Sequence, residues 1–283
     1  MKSMKRSRMT GNVVAHVFLV LLSIIWVLPI AWLVIRSFQG EKGPMIETVF
    51  PQSYTIANYT RLFSETQLFN YPQWYLNTFL VAIFTCALST MLVLMISYTF
   101  SRLRFSSRKG FMNIGLILGM FPGFMTMIAV YHILKAIGLY QSLISLVLVY
   151  STTAALGYFI AKGFFDTIPR ALDEAAMLDG ATKNQIFLRI TLPMSKPIII
   201  YTALTSFMAP WVDFIFASVI MKDNYSKYTL AVGLFQMLDR ENIYEYFTRF
   251  CAGAVLVAIP ITILFVIFQR YYVEGVTGGA TKG

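Results

Sequence analysis

Few residues in this 283-residue chain could carry proton or metal chemistry. Its two histidines, His16 and His132, and its two cysteines, Cys86 and Cys251, stand far apart in sequence. They form no metal-binding spacing, and no nucleophile–base pair is apparent. The chain has no G-x-x-x-x-G-K-[ST] phosphate loop, and the closing "GGATKG" lacks both the spacing and the hydroxyl residue. Any use of ATP must therefore come from a partner. Two charged features remain: Asp213, nearly alone in "FMAPWVDFIFA", and the charged run "EAAMLDGATKNQIFLRITLP" over 174–193.

The elements that must position these charges are membrane spans. The chain is 57% hydrophobic and only 13% charged, with a mean hydropathy of +0.66. A soluble domain has about 25% charged residues, so this inventory cannot cover a water-facing surface. Runs of roughly 20 apolar residues cross a bilayer as helices. Six such runs are expected, near 13–35, 76–101, 111–131, 139–161, 197–219 and 250–269. The third is interrupted by "GMFPGF". The first is too long for a cleaved signal peptide and contains Trp26, Pro29 and Trp32.

The net charge of +10 does not point to nucleic acid, because the basic residues cluster beside apolar runs. Fifteen Lys and Arg flank one side of the spans and eight the other, which places both termini in the cytoplasm. The expected organisation is a cytoplasmic N-terminus (1–12), a six-span domain (13–269) and a cytoplasmic tail (270–283). Two loops, 36–75 and 220–249, then lie outside. They mix aromatic and polar residues, as an interfacial belt or a docking surface would. The charged run falls in a cytoplasmic loop, 162–196.

That loop reads as two short helices and a turn. Asp166 or Thr167 can cap the first, with Pro169 in its first turn. Ile168, Ala171, Leu172, Ala175 and Leu178 share one face, while Arg170, Asp173, Glu174 and Met177 share another. Gly180 stands where the chain must leave the helix in a left-handed conformation. Thr182 and Gln185 form a capping-box pattern for a second helix. Ile186, Phe187 and Ile190 make its apolar stripe, and Leu192-Pro193 should end it. The small surface of Ala175 and Ala176 lets another backbone approach closely. Such a hairpin suits docking into a groove, or resting on lipid headgroups.

Glu174-Ala175-Ala176, three residues, Gly180, nine residues, then Ile190-Thr191-Leu192-Pro193 resembles the EAA motif of ABC-importer permease subunits. The resemblance implies the type I importer permease fold, all-helical with six transmembrane helices. It also implies that Glu174, Ala175, Ala176 and Gly180 form a coupling helix seated on a separate ATPase. The stretches 108–131, 228–234 and 258–283 are similar to the carbohydrate-uptake branch, in particular to its maltose/maltodextrin permeases. Membership there implies several partners: a homologous second permease, two ATP-binding subunits and an extracytoplasmic sugar-binding protein. ATP with Mg would sit on the ATPase, and this chain would bind no cofactor.

Asp213 should face a cavity or a partner helix, because an isolated charge at a helix centre costs about 2.5–3.5 kcal/mol. It is a candidate for the transport pathway or the permease interface, and equally for a structural hydrogen bond. Pro122 and Gly123 break the third span, as discontinuous helices along substrate routes do, although an ordinary kink reads the same way. Tyr150, Tyr158, Tyr201 and Trp211 could stack on sugar by position alone. An ion-coupled secondary transporter is the competing class, disfavoured by the scarcity of charges within spans.

Overall fold

A computed structural model describes residues 2–44 and 50–277. The expected motif at the C-terminal end lies partly outside that range, as does Lys282. The helices run α1 (Lys2–Ser37), α2 (Ala57–Ser64), α3 (Tyr71–Arg102), α4 (Arg108–Gly119), α5 (Gly123–Ala136), α6 (Leu143–Ala155) and α7 (Tyr158–Thr167). There follow α8 (Arg170–Leu178), α9 (Lys183–Ile186), a π-turn at Phe187–Thr191, α10 (Leu192–Met194), α11 (Lys196–Val212), α12 (Ile215–Met221), α13 (Leu230–Gln236) and α14 (Ile243–Thr277). Among the described residues the only β pairing is an isolated bridge between Gln39 and Tyr54.

Six crossings result. Three are continuous apolar helices: Asn12–Ser37, Tyr71–Arg102 and Ile243–Tyr271. Three are bent pairs: α4 with α5 at 101°, α6 with α7 at 45° and α11 with α12 at 60°. The third expected span therefore breaks where "GMFPGF" interrupts it. Pro122 cannot continue a helix at low cost, and its ψ of 127° turns the chain before α5 starts. Pro260, by contrast, stays inside continuous α14.

The chain divides into two compact units, one of 1–69 with 236–256 and one of 70–235 with 257–283. In the first, Asn58 donates to the carbonyls of Ser37 and Gln39 at 3.0 and 2.8 Å, and Thr248 donates to its Oδ1 at 3.0 Å. Arg249 meets Glu65 at 2.6 Å. In the second, α3 is the central strut, packed along α6, α7 and α11. Its buried face carries small hydroxyl residues, Thr78, Thr85, Ser89, Ser97 and Ser101, which let neighbouring helices approach closely. Val93, Leu94 and Tyr98 of α3 form a core with Ala161, Phe165, Ile168 and Ile198. Into this core the charged hairpin is anchored.

Candidate functional site

The hairpin over α8 and α9 differs at its entrance from the sequence expectation. Neither Asp166 nor Thr167 caps α8; Pro169 holds the N-cap position and offers no side-chain bond. Asp166 instead accepts from Ser101 Oγ and from Lys162 Nζ, each at 2.6 Å. Thr167 Oγ1 turns back to the Phe164 carbonyl at 2.7 Å. Hydrogen bonds to α3 and within α7 compete successfully for both side chains.

Of the polar face of α8 only Asp173 is turned inward and buried, while Arg170, Glu174 and Met177 are exposed. Asp173 is buried and pairs with Arg102 of α3 at 3.3 Å. Leu172 and Leu178 are exposed, Leu178 by 90%. Ala171 and Ala175 are exposed with them, and Ala176 is half-buried. Ala171, Leu172, Ala175 and Leu178 thus leave the apolar side of α8 uncovered, whereas Ile168, expected on the same face, is buried in the core with Phe165. Glu174 is exposed beside it. It lines a cavity of about 340 Å³ with Arg102, Arg104, Arg170 and Lys183.

Gly180 takes φ +83°, the left-handed turn the sequence called for. The Ala181 amide then donates to the Ala176 carbonyl at 2.9 Å. Thr182 and Gln185 form the capping box, with both reciprocal bonds present. Ile186 is 2% exposed, and Phe187 packs its ring 4.7 Å from that of Tyr98. The expected stop at Leu192-Pro193 is not found. Leu192 stays helical at φ −62°, ψ −48°, and its amide reaches back to the Phe187 carbonyl. That wider π-turn makes room for a proline ring that would clash in an α-helix. The break comes instead at Ser195, whose φ is −104° and ψ 21°.

Asp213 sits at the bend between α11 and α12 with an extended ψ of 112°. Its carboxylate accepts from the amides of Phe216 and Ala217 at 3.3 and 3.1 Å, and from Tyr150 Oη at 2.5 Å. Two donors are otherwise orphan amides of the first turn of α12. The charge is therefore satisfied locally. Tyr150 and Tyr201 line a cavity of about 250 Å³ with Thr85, Thr202, Thr205 and Ser206. The buried Thr85 hydroxyl on its wall has no hydrogen-bond partner. Tyr158 is buried against α4 and Trp211 lies edge-on to Tyr75 at 5.3 Å, so neither reaches that cavity. Pro122 and Gly123 are exposed at the α4–α5 bend and do not line it either.

Residues 98–278 match the family described as "Binding-protein-dependent transport system inner membrane component", and the chain belongs to that family. It is a multi-pass permease subunit of an ABC importer of the cell membrane. It is 34% identical to the galactooligosaccharides transport system permease protein GanQ of Bacillus subtilis (strain 168), covering 99% of each chain. It is also 34% identical to the maltodextrin transport system permease protein MdxG of the same organism, over 98% of each. The crystal structure of a bacterial ABC transporter that imports the acidic polysaccharide alginate contains a chain of the same fold. The TM-score is 0.79 at 22% identity, covering 94% of this chain and 98% of that one. Nothing in these matches supports the ion-coupled class.

Proposed function

We propose that this chain is one of two homologous permeases of an ATP-driven oligosaccharide importer. Both termini would face the cytoplasm. The α8–α9 hairpin would seat in a groove of the ATPase through Leu172, Ala175 and Leu178, with Glu174 at the rim and Gly180 setting the turn. The observation that supports this reading is the open apolar side of α8, exposed at Leu172, Ala175 and Leu178 while Asp173 anchors the helix to Arg102. Hydrolysis and the ATP–Mg complex would belong to two copies of the ATPase, since this chain has no phosphate loop. A sugar-binding protein would deliver cargo to the outer face. Maltodextrin is the first cargo to test, and galactooligosaccharide the second, because the GanQ relative is equally similar.

The cavity bounded by Tyr150 and Tyr201 is the part of this chain that we assign to the route of the sugar. Asp213 would act there through Tyr150, which it holds, while Pro122 and Gly123 would shape the neighbouring bend. Reconstituting both permeases, the ATPase and the binding protein in liposomes tests the proposal. Uptake of labelled maltodextrin or galactooligosaccharide should require ATP and the binding protein. Uptake by this chain alone would refute it.

A further inference from the structure

The joint between α7 and α8 is the link Ile168-Pro169, with Ile168 buried in the core beside Phe165. Ile168 and Pro169 are both extended, with ψ of 128° and 129°. The helix α8 begins without a side-chain cap. Pro169 fixes its own φ at −59° and favours extended backbone at Ile168, but no side chain of the link caps α8.

One side chain from another element bridges that joint. Arg102, the last residue of α3, donates from Nη2 to the carbonyls of Phe165 and Ile168 at 2.7 and 2.9 Å. Its Nη1 lies 3.3 Å from Oδ2 of Asp173, in the first turn of α8. The two side chains are only 4% and 11% exposed. The guanidinium thus grips the upstream helix by its last carbonyls and the downstream helix by a carboxylate. Those carbonyls lie at the partly negative end of α7, and that of Phe165 also accepts the Ile168 amide at 3.2 Å. A planar fork with five donors can serve all three acceptors at once, whereas an ammonium is a point charge with a different geometry.

The rest of the α3 terminus holds the same segment at other points. Ser101 Oγ donates to Asp166 Oδ1 at 2.6 Å, before the hinge. Tyr98 Oη donates to the Lys183 carbonyl at 3.0 Å, on the second arm of the hairpin. One turn of α3 is therefore fastened before, across and after the hinge.

We propose that Arg102 is a positioning residue that latches the α7–α8 hinge, so that a push on α8 moves α7 and α3 instead of swinging α8 about Ile168-Pro169. This rests on the reading of α8 as the ATPase-docking helix. Without the latch the ATPase still docks and hydrolyses, but the stroke is lost in the hinge.

The test uses the complete complex in liposomes, with sugar uptake and phosphate release measured separately. Arg102→Met combined with Asp173→Leu removes the pair without leaving a buried charge stranded. The ATPase should co-purify with this variant. Its uptake per ATP should fall roughly tenfold, a scale reached by mutations along coupled networks. Arg102→Lys should fall between the variant and the parent. If the apolar pair does not assemble, Arg102→Lys carries the test, and its ratio must still drop. A wild-type ratio of uptake to hydrolysis in the assembled variants overturns the latch, whether both rates persist or both decline together. Leu178→Glu separates the two claims. Retention of the ATPase by that variant defeats the docking reading, independently of Arg102.

Discussion

Gly180 and Gly233 are constrained for different reasons, and their substitutions should behave differently. Gly180 has φ +83° with open space where a Cβ would stand, so its constraint is conformational. Gly180→Asn should keep most coupled uptake, Gly180→Ala should lose some, and Gly180→Val should lose most. The order follows from the left-handed penalty of about 1–2 kcal/mol, which asparagine tolerates and β-branched residues do not. Equal uptake in all three would remove the turn from the mechanism. At Gly233 a Cβ would lie 2.2 Å from the Trp74 ring, so its constraint is steric. Gly233→Ala should lower stability in detergent by about 1–3 kcal/mol, read as an earlier thermal transition. The first glycine was legible because the turn lies within its own motif. The second was not, because Trp74 is remote in sequence and its approach depends on tertiary packing. The partners of Arg102 were out of reach for the same reason. Counted along the chain it is one more positive charge beside a span, yet folding buries it against Asp173. Asp213 was legible as a charge needing donors, but not which ones. Asp213→Asn should preserve assembly, since asparagine also caps helices, while Asp213→Ala should cost about 1 kcal/mol. Loss of uptake in a fully assembled Asp213→Asn complex would give the carboxylate a direct role in the pathway.

At the scale of elements, spacing of apolar residues revealed both faces of α8 but not which one turns inward. In an isolated soluble helix the apolar face would be buried. Here Leu178 is 90% exposed and Asp173 is 8% exposed. Arg102 draws in Asp173 alone, and the side carrying Leu178 has no covering element among the described residues of this chain. The capping box of α9 was readable because all its atoms come from four consecutive residues. The end of that arm was not. The proline rule assumes an α-helix, and the π-turn at Phe187–Thr191 escapes it by widening the turn before Pro193. Bend angles were likewise out of reach. Pro122 announces a break, but 101° between α4 and α5 depends on what each half packs against. Glu174→Lys reverses a charge at the rim of the docking face. It should weaken ATPase-driven uptake while leaving the permease folded, measured as uptake against the amount of assembled complex.

For the whole molecule, the bilayer explains why so much was legible. A solvent without hydrogen-bonding capacity requires each crossing segment of a helical protein to satisfy its own backbone, so the apolar runs mark the three continuous spans and the three bent pairs. It also explains why chemistry was sparse. On the proposed function, what this chain would supply is a site where force enters and a route that opens. On that proposal both would be completed by other chains, and this sequence would display half of each. The docking face is the half with the clearest geometry, and it supplies the most direct test of the account. Purified ATPase can be titrated onto the reconstituted permease pair carrying either the parent chain or Leu178→Glu. The account predicts weaker binding by about thirtyfold, the loss expected when a central interface residue worth roughly 2 kcal/mol is removed. Unchanged binding, with the permease pair folded and intact, would contradict it.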